Sequence, residues 1–386
     1  MKKTHLLLFS IGLVGALPMT LIGSVLGVRL KESGFDLVTI GLLSLFHFPF
    51  ALKPLFAPLI EQFQSPFRWM ERKEGWLFFS LALTFLSLCG VAFFPNQPAS
   101  ILLLSTSEGL LFVSGLQVEM ALVPTIGQMV ASSYIVSGYR IGLLIAGAGT
   151  LLLAHVIGWP MAYLSIGLLF VLPLFFKTKL PRTDGPISRS FVAPVKDLLQ
   201  KGLPLFAFLI FYRLGDNLAN PMLHPFFLDL GFSKIEIAQF SKGFGMGATI
   251  LGAAAAGFFR NIPRPLFVFG LLHSLSFLFF SFLQHNHWAF AAAVVYEHFT
   301  SGLVVTAFIA MLWKEVTPLH GATQYALLWS LISLKQNVIS TFSGIVATFL
   351  GWPLFFTSIA AISAACAFFS LPLLLTSRQT LTKIEP

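Results

Sequence analysis

The chain has 386 residues, of which 56% are hydrophobic and only 10% are charged. Because soluble proteins carry roughly 25% charged residues, this composition excludes an ordinary soluble enzyme or binding domain and predicts an all-α, polytopic membrane protein. In a soluble chain the formal net charge of +9 would suggest binding to nucleic acid. In a membrane protein the positions of the positive charges instead indicate how the chain is oriented in the membrane, so no nucleic-acid partner is expected.

Apolar runs long enough to cross a bilayer recur twelve times along the chain. The first follows a basic start and continues without a charge, which favours a membrane helix over a cleaved signal peptide. Residues 124–132 fit either a loop or the start of the fifth helix. The predicted spans are Leu6–Val28, Leu37–Ile60, Trp76–Phe94, Ala99–Val123, Ser133–Ile157, Pro160–Phe176, Leu203–Leu230, Ile237–Phe259, Pro265–Phe282, Trp288–Trp313, Thr323–Leu350 and Leu354–Leu375.

Lysine and arginine are distributed unevenly over the predicted loops. Of the 24, 16 fall in the termini and in the loops that follow even-numbered spans, 3 fall in the remaining loops, and 5 lie within spans. The positive-inside rule therefore predicts that both termini are cytoplasmic.

The longest predicted loop, residues 177–201, is basic and contains two prolines. We expect it to link an N-terminal six-helix bundle, residues 1–176, to a C-terminal one, residues 202–375, with a cytoplasmic tail at 376–386. Two motifs repeat across this division: "GFDLVTIGLLS" from Gly34 recurs as "GFSKIEIAQFS" from Gly231, and "IGWPMAY" from Ile157 recurs as "LGWPLFF" from Leu350. The sequence therefore predicts twelve transmembrane helices in two pseudo-repeated bundles, the layout of the major facilitator superfamily.

The seventh span carries the densest group of polar residues. Arg213 and Asp216 are three residues apart, so on a helix they share a face, and Asn217 continues it. Charges in mid-membrane cost roughly 2.5–3.5 kcal/mol on insertion scales, which favours a functional cavity, although mutual neutralisation of Arg213 and Asp216 is the simpler alternative. Pro221 is expected to break this helix locally. Asn220 and His224 would extend the same polar face.

Ionisable residues occur in other spans as well. Arg140 suits a carboxylate or phosphate group, and Glu297, beside His298, is a candidate for binding and releasing a proton. Lys53 fits a substrate site or, alternatively, extends toward the cytoplasmic face. The secondary candidates are Glu108, Lys242 and Lys335, with Glu119 nearer a helix end.

Signals for enzymatic chemistry are missing from the sequence. There is no Cys/His metal spacing, no "HExxH" and no nucleotide-binding glycine loop, so no catalytic residue, metal or cofactor is expected. The glycine-rich "GFGMGATILG" from Gly243 lies inside a predicted span and indicates close helix packing. Cys89 and Cys366 lie in apolar runs and are expected to stay reduced.

Five stretches, in this order, resemble the AmpG-type muropeptide permeases of the major facilitator superfamily. They are "GALPMTLIGSVLGVRLKESGFDLVTIGLLSLFHFPFALKPLFAPLIEQF" from Gly15, "GYRIG" from Gly138, "YRLGDNLA" from Tyr212, Glu297 followed by "SGLVVTAFIAML", and "ATQYALLWSL" from Ala322. The resemblance spans essentially the whole chain. It departs in helix four, where the family carries "S-Q-D-x-x-x-D-A" and this sequence reads "EGLLFVSGLQVEMALVP".

The resemblance implies a permease of the bacterial inner membrane that imports anhydro-muropeptides with protons, and we expect the chain to be a monomer. Lys53, Arg140 and Arg213 would meet substrate carboxylates, and Asp216 and Glu297 would carry the proton. The expected partners are a small-molecule solute, protons and the lipid bilayer. Further substrate contacts are expected from Asn217, Gln324 and Tyr325.

Two alternatives remain open on the sequence. The altered helix four allows another anionic solute, such as a short peptide or an anionic metabolite. A non-transporting sensor or scaffold descended from a permease is the other alternative, and the number of charges retained in the membrane argues against it.

Overall fold

The computed structural model describes residues 2–35, 49–50, 52–67, 70–176, 192–259, 263–317 and 320–381. Within these ranges every regular element is a helix. Most of the predicted span Leu37–Ile60, most of the basic linker and the end of the tail lie outside the described residues, together with several of the basic residues on which the predicted orientation depends.

The chain divides into two compact units. Unit 1 comprises Met1–Phe191 and Val316–Ala326, and unit 2 comprises Val192–Glu315 and Leu327–Pro386. The helices of unit 1 are α1 (Lys2–Glu32), α2 (Lys53–Gln62), α3 (Arg72–Phe93), α4 (Pro98–Ile126), α5 (Gln128–Ile157) and α6 (Trp159–Phe175).

Unit 2 begins with α7 (Ala193–Gln200), α8 (Leu203–Phe211) and α9 (Leu214–Asp229). Next comes α10, residues 234–256, which widens into a π-helix at Ala238–Phe244. The remaining helices are α11 (Pro263–Ser281), α12 (His287–Glu315), α13 (Gly321–Thr341), whose first turns belong to unit 1, and α14 (Ser343–Leu381), kinked at Gly351.

Seven helices in the described part of the chain are long and apolar enough to cross a membrane. The number is eight if α7 and the stretch Leu203–Asp229, bent by 86° relative to each other, count as one broken span. Residues 124–132, which on the sequence alone fit either a loop or the start of the fifth helix, are divided at Gly127. This residue has a φ of 86° and separates the end of α4 at Ile126 from the start of α5 at Gln128.

The glycines of the two repeated motifs have the same backbone conformation in both units. Gly34 and Gly231 have φ angles of 89° and 92°, and Gly158 and Gly351 have φ angles of 80° and 69°. In each Gly-Phe motif the residue before glycine donates a hydrogen bond four residues back, the glycine three back and the phenylalanine five back. Because only glycine adopts positive φ without strain, these turns explain why glycine stands at all four positions.

Glycine allows two helices of unit 1 to pack backbone against backbone. A Cβ atom at Gly138 or Gly142 of α5 would collide with the main chain of Phe9 or Leu13 on α1. In lipid such close packing, rather than expulsion of water, holds helices together. The glycine-rich segment that contains Arg140 is thus an interhelical surface.

Phenylalanine fills the core of unit 2. Eight buried phenylalanines from α9, α11, α12, α14 and the loop after α9 cluster together: Phe226, Phe227, Phe232, Phe277, Phe280, Phe290, Phe355 and Phe356. Their edge-to-face and tilted contacts, such as the 4.6 Å between the ring centroids of Phe226 and Phe356, hold α9 against α14. This core fixes the position of the polar residues at the other end of α9.

Candidate functional site

The seventh predicted span is broken at two residues. α8 ends at Phe211, Tyr212 is extended with ψ of 133°, and Arg213 is left-handed with φ of 61°. Among the described residues, Arg213 is the one residue other than glycine with positive φ. The break predicted at Pro221 is wrong, because α9 runs through Pro221 to Asp229. Membrane helices tolerate an internal proline where neighbours satisfy the freed backbone group, so proline alone does not locate a break.

The break exposes backbone groups that ionisable side chains use. The carbonyl oxygen of Tyr212 accepts a hydrogen bond from Nζ of Lys335 on α13 at 3.0 Å. Asp216 lies in the first turn of α9, where the partial positive charge of a helix N-terminus favours a carboxylate. Discontinuous helices of this kind form substrate and ion sites in transporters.

Asp216 is the centre of a buried charge network. Its side chain is 5% exposed, Oδ2 lies 2.5 Å from Nε of Arg213, and Oδ1 lies 2.9 Å from Nε2 of His273 on α11. The spacing of three between Arg213 and Asp216 thus predicts a real contact, but Asp216 has a second partner that the spacing does not reveal.

The network continues to α12. Nδ1 of His273 lies 2.9 Å from Oγ1 of Thr300, which itself lies 2.9 Å from the carbonyl oxygen of Tyr296 and 3.0 Å from that of Glu297. The carboxylate of Glu297 is 2.5 Å from Nδ1 of His298. Asp216 and Glu297, both predicted as proton carriers, therefore lie at the two ends of one polar cluster.

A small cavity adjoins this cluster. Its volume of about 20 Å³ has room for a single water molecule. The hydroxyl of Ser363 is buried and forms no hydrogen bond with a described residue. The Arg213 side chain is 26% exposed, and of its nitrogens only Nε is bonded within the described part of the chain. The cavity is lined by Tyr212, Arg213, Asp216, Gly270, His273, Val304, Ser363 and Ala367.

The remaining candidates of unit 2 lie on α9 and α10. Asn217 is buried, its side-chain nitrogen bonds no described residue, and its carbonyl oxygen accepts a hydrogen bond from Ser340. Asn220 and His224, one and two turns further along α9, are exposed. Lys242 belongs to the π-helical part of α10, and its side chain lies outside the described residues.

Lys53 forms a second candidate site, in unit 1. It is only 4% exposed, and its Nζ lies 4.2 Å from the ring centroid of Phe50 and 4.6 Å from that of Phe112. Aromatic faces attract a cation most strongly where water is excluded. Glu108, one turn before Phe112 on α4, is buried and attracts Lys53 electrostatically. Lys53 is therefore held among these groups rather than extended to the surface.

The other unit 1 candidates are placed differently. Tyr325 is buried with its ring 6.5 Å from Phe112, so it belongs to the Lys53 site. Gln324 is buried, and its Oε1 accepts hydrogen bonds from the backbone and hydroxyl of Thr317 at 2.7 and 3.2 Å. Arg140 is half-buried on α5. Glu119 is buried on α4 and acts electrostatically on Tyr325.

His273 and Thr300 are two members of the unit 2 network that the pattern of charged residues does not predict. His273 is the one ionisable residue in the predicted span Pro265–Phe282. Because an ionisable residue within a membrane span indicates a functional site, this position could have been found from the sequence. The sequence does not indicate a role for Thr300, because a threonine in a membrane helix usually donates its hydroxyl to a backbone carbonyl of the same helix.

No family model matches the chain. A Rickettsia felis protein named as a transporter, AmpG 4, is 31% identical over 382 residues, which cover 90% of this chain and 91% of that protein. The anhydromuropeptide permease of Escherichia coli strain K12 is 27% identical over 403 residues, covering 97% of this chain and 80% of that protein.

Two solved structures share the fold. The human organic anion transporter MFSD10 superposes with a TM-score of 0.71 at 15% identity, covering 97% of this chain and 99% of that one. The Escherichia coli fucose:proton symporter FucP superposes with a TM-score of 0.72, also at 15% identity, covering 97% and 98%. At this identity the likeness shows the fold alone.

Proposed function

The chain belongs to the AmpG family of transporters and has the major facilitator superfamily fold, and from that premise we propose that it imports anhydro-muropeptides together with protons. Its relatives are transporters, and one of them is named for anhydromuropeptide transport. The proposed location is the bacterial inner membrane, with both termini cytoplasmic and the chain acting as a monomer without chemical conversion of its solute.

The observation that carries the proposal is the state of Arg213. Nε of Arg213 pairs with Asp216, while the terminal nitrogens bond no described residue and the side chain borders a cavity. A guanidinium that is paired through Nε still presents the N–H groups of its two terminal nitrogens, whose planar fork geometry binds carboxylates. The peptide part of a muropeptide ends in such groups.

The other candidate residues receive proposed roles in substrate binding or proton coupling. Lys53 and Arg140 are proposed to attract substrate carboxylates, and Asn217, whose side-chain nitrogen is buried without a described partner, to donate a hydrogen bond. Gln324 and Tyr325 complete the proposed substrate contacts. Asp216 and Glu297 are proposed to take part in proton coupling, with Glu108, Lys242 and Lys335 as secondary residues.

A second candidate is transport of a different anionic solute. The reason is helix four, where Glu108 and Glu119 stand in a segment that lacks the acidic motif typical of the family. The buried carboxylate of Glu108 near Lys53 would change which solute groups are accepted there.

The test is uptake of radiolabelled anhydro-muropeptide into proteoliposomes that contain the purified full chain. We expect accumulation that requires an outside-acidic pH gradient and that collapses with an uncoupler. Arg213→Gln should abolish it, whereas Arg264→Gln, which removes an exposed arginine from the start of α11, should not.

Two outcomes would contradict the proposal. Absence of uptake by folded wild-type protein would exclude muropeptide, and competition by short peptides or other anions would then identify the solute class. Full uptake by the Arg213→Gln variant would remove Arg213 from the substrate site.

A further inference from the structure

The hydrogen bonds around His273 restrict its protonation state. Thr300 has a single hydroxyl proton, and its oxygen lies within bonding distance of two carbonyl oxygens of its own helix, those of Tyr296 and Glu297. If that proton points to a carbonyl, Nδ1 of His273 must donate to Thr300, and Nε2 must donate to the Asp216 carboxylate. The imidazole then carries two protons and a positive charge.

Rotation of one hydroxyl accommodates the neutral form equally well. When Nδ1 loses its proton, the Thr300 O–H can turn from the helix carbonyl to donate to the Nδ1 lone pair, while Nε2–H continues to donate to Asp216. No heavy atom has to move between the two states. A buried group whose two protonation states are both fully hydrogen-bonded is suited to binding and releasing a proton.

We propose that His273 is the proton-binding residue of unit 2, and that its protonation enables Arg213 to bind a substrate carboxylate. This inference rests on the proposed transport function. In the proton step an N–H bond forms at Nδ1 of His273, the Thr300 hydroxyl rotates away to a helix carbonyl, and the reverse sequence releases the proton. Asp216 stays ionised and acts as the positioning residue that connects His273 to Arg213.

The charges around His273 explain why the two events are linked. Among the arginine, lysine and carboxylate side chains, the positive charges of Arg213 and Lys335 balance the negative charges of Asp216 and Glu297, so a protonated His273 adds a positive charge to these four. A bound substrate carboxylate neutralises that added charge, whereas with neutral His273 it would add an uncompensated negative charge in a buried site. Linkage is reciprocal, so the solute must raise the proton affinity of His273 by the same factor.

Among the titratable groups near His273, Asp216 contacts it directly. The groups belong to the helix break and to α9, α12, α13 and α14. From the described residues they are Tyr212 and Arg213 at the helix break, Asp216 of α9, Tyr296, Glu297 and His298 of α12, Lys335 of α13 and Cys366 of α14.

The first test needs no substrate. Nitrogen NMR of histidine-labelled full chain in lipid nanodiscs reports the protonation of each imidazole, and His273→Gln identifies the signal of His273 by its loss. We expect that signal to change from one protonated nitrogen to two as the pH is lowered. Asp216→Asn should lower the doubly protonated fraction at a given pH, because the opposite charge is removed.

Matched variants separate this role from a structural one. Thr300→Ser keeps the hydroxyl and should preserve the titration, whereas Thr300→Val removes it and should shift the titration. His155→Gln, an exposed histidine of unit 1, should leave the signal unchanged. A His273 signal that stays in one protonation state as the pH is lowered, or that ignores Asp216→Asn, would overturn the proposal.

The second test measures coupling. For wild type we expect the dissociation constant of anhydro-muropeptide to change by up to about tenfold per pH unit across the titration, the limit for one linked proton. His273→Gln, which can still donate to Asp216 but cannot titrate, should show no such slope, and should exchange solute across the membrane without moving protons. An unchanged slope in His273→Gln would contradict the assignment.

The two tests distinguish the failure of this inference from that of the proposed function. If wild type binds no muropeptide, the proposed substrate fails, while the imidazole titration still decides whether His273 binds the proton. If muropeptide uptake is proton-driven but His273 does not titrate, the proposed function stands and the role of His273 is rejected.

Discussion

Trp352 donates its indole N–H to the carboxylate of Asp229 at 2.9 Å. In unit 1, Trp159 donates in the same way to Glu32 at 2.8 Å. Each tryptophan directly follows the positive-φ glycine of a Gly-Trp-Pro motif, and each carboxylate stands two residues before the positive-φ glycine of a Gly-Phe motif. The two sequence repeats of each unit are therefore bonded to each other, and the duplication extends to an individual hydrogen bond.

These tryptophan–carboxylate pairs should contribute modestly to stability. Because both pairs are exposed, Trp352→Phe is expected to lower the free energy of unfolding by about 0.5–1.5 kcal/mol, below the range for a buried charged hydrogen bond. Thermal or denaturant unfolding in detergent would measure it. In a double-mutant cycle with Asp229→Asn the two losses should not add, and Trp159→Phe should give a similar loss. Strictly additive losses would show that the bond has no energetic effect.

The close contact between α10 and α12 should make specific glycines sensitive to substitution. A Cβ at Gly252 would collide with the carbonyl oxygen of Phe299, and one at Gly302 with that of Thr249. Gly252→Ala or Gly302→Ala should therefore destabilise unit 2 by about 1–3 kcal/mol, the usual effect of overpacking.

Gly247 provides the matched control for this prediction. It lies on the same helix as Gly252, and a Cβ atom added there would meet open space, so Gly247→Ala should be neutral or slightly stabilising because alanine favours helix. Unfolding of the three variants in the same detergent decides the matter. Equal effects at Gly252 and Gly247 would mean that helix propensity, not packing, governs this segment.

Arg213 and Asp216 should behave as a coupled pair. Arg213→Gln or Asp216→Asn alone removes one partner of a buried ion pair and should cost about 3 kcal/mol of stability. The double variant, Arg213→Gln with Asp216→Asn, leaves neither charge and should cost less than the sum of the two.

Transport should not recover in that double variant. It restores electrical balance but lacks the guanidinium that we propose for substrate binding. Thermal stability and uptake measured on the same preparations separate the two roles. Recovery of both would indicate that Arg213 and Asp216 only neutralise each other, the simpler alternative.

Glu236 should give the stability of α10 a pH dependence. Its carboxylate accepts hydrogen bonds from the backbone N–H and the hydroxyl of Ser233 at 2.8 and 2.7 Å, and Nδ1 of His287 lies 3.0 Å away. Ser233 in turn accepts from the backbone of Glu236, which completes a capping box. The hydrogen bonds from Ser233, followed by the attraction of His287, lower the pKa of Glu236 below its ordinary value.

A lowered pKa fixes the sign of the effect. The carboxylate stabilises the fold fully above the unfolded pKa of about 4.3, and this contribution disappears as pH falls through the lower folded value. Glu236→Gln should therefore lower the melting temperature at neutral pH and match wild type in acid. A difference that persists unchanged into acid would contradict the prediction.

Local patterns of the sequence determined much of this protein. The apolar runs predict the helices, the repeated Gly-Phe and Gly-Trp-Pro motifs predict the duplication, and the motifs in order along the chain predict the AmpG family. The contact between Arg213 and Asp216 is likewise local, since the two residues are three apart at the start of α9. These features depend on neighbours in the chain, which is why they can be read without a structure.

The partners of Asp216 were decided by tertiary structure. His273 is 57 residues away along the chain, and Lys335 meets the carbonyl of Tyr212 from 123 residues away. Such contacts depend on how each helix is rotated about its axis, which the aromatic core and the close glycine contacts fix together. The break at Arg213 rather than at Pro221 has the same origin, because the left-handed Arg213 pairs with Asp216 and the neighbouring Tyr212 carbonyl accepts a hydrogen bond from the distant Lys335.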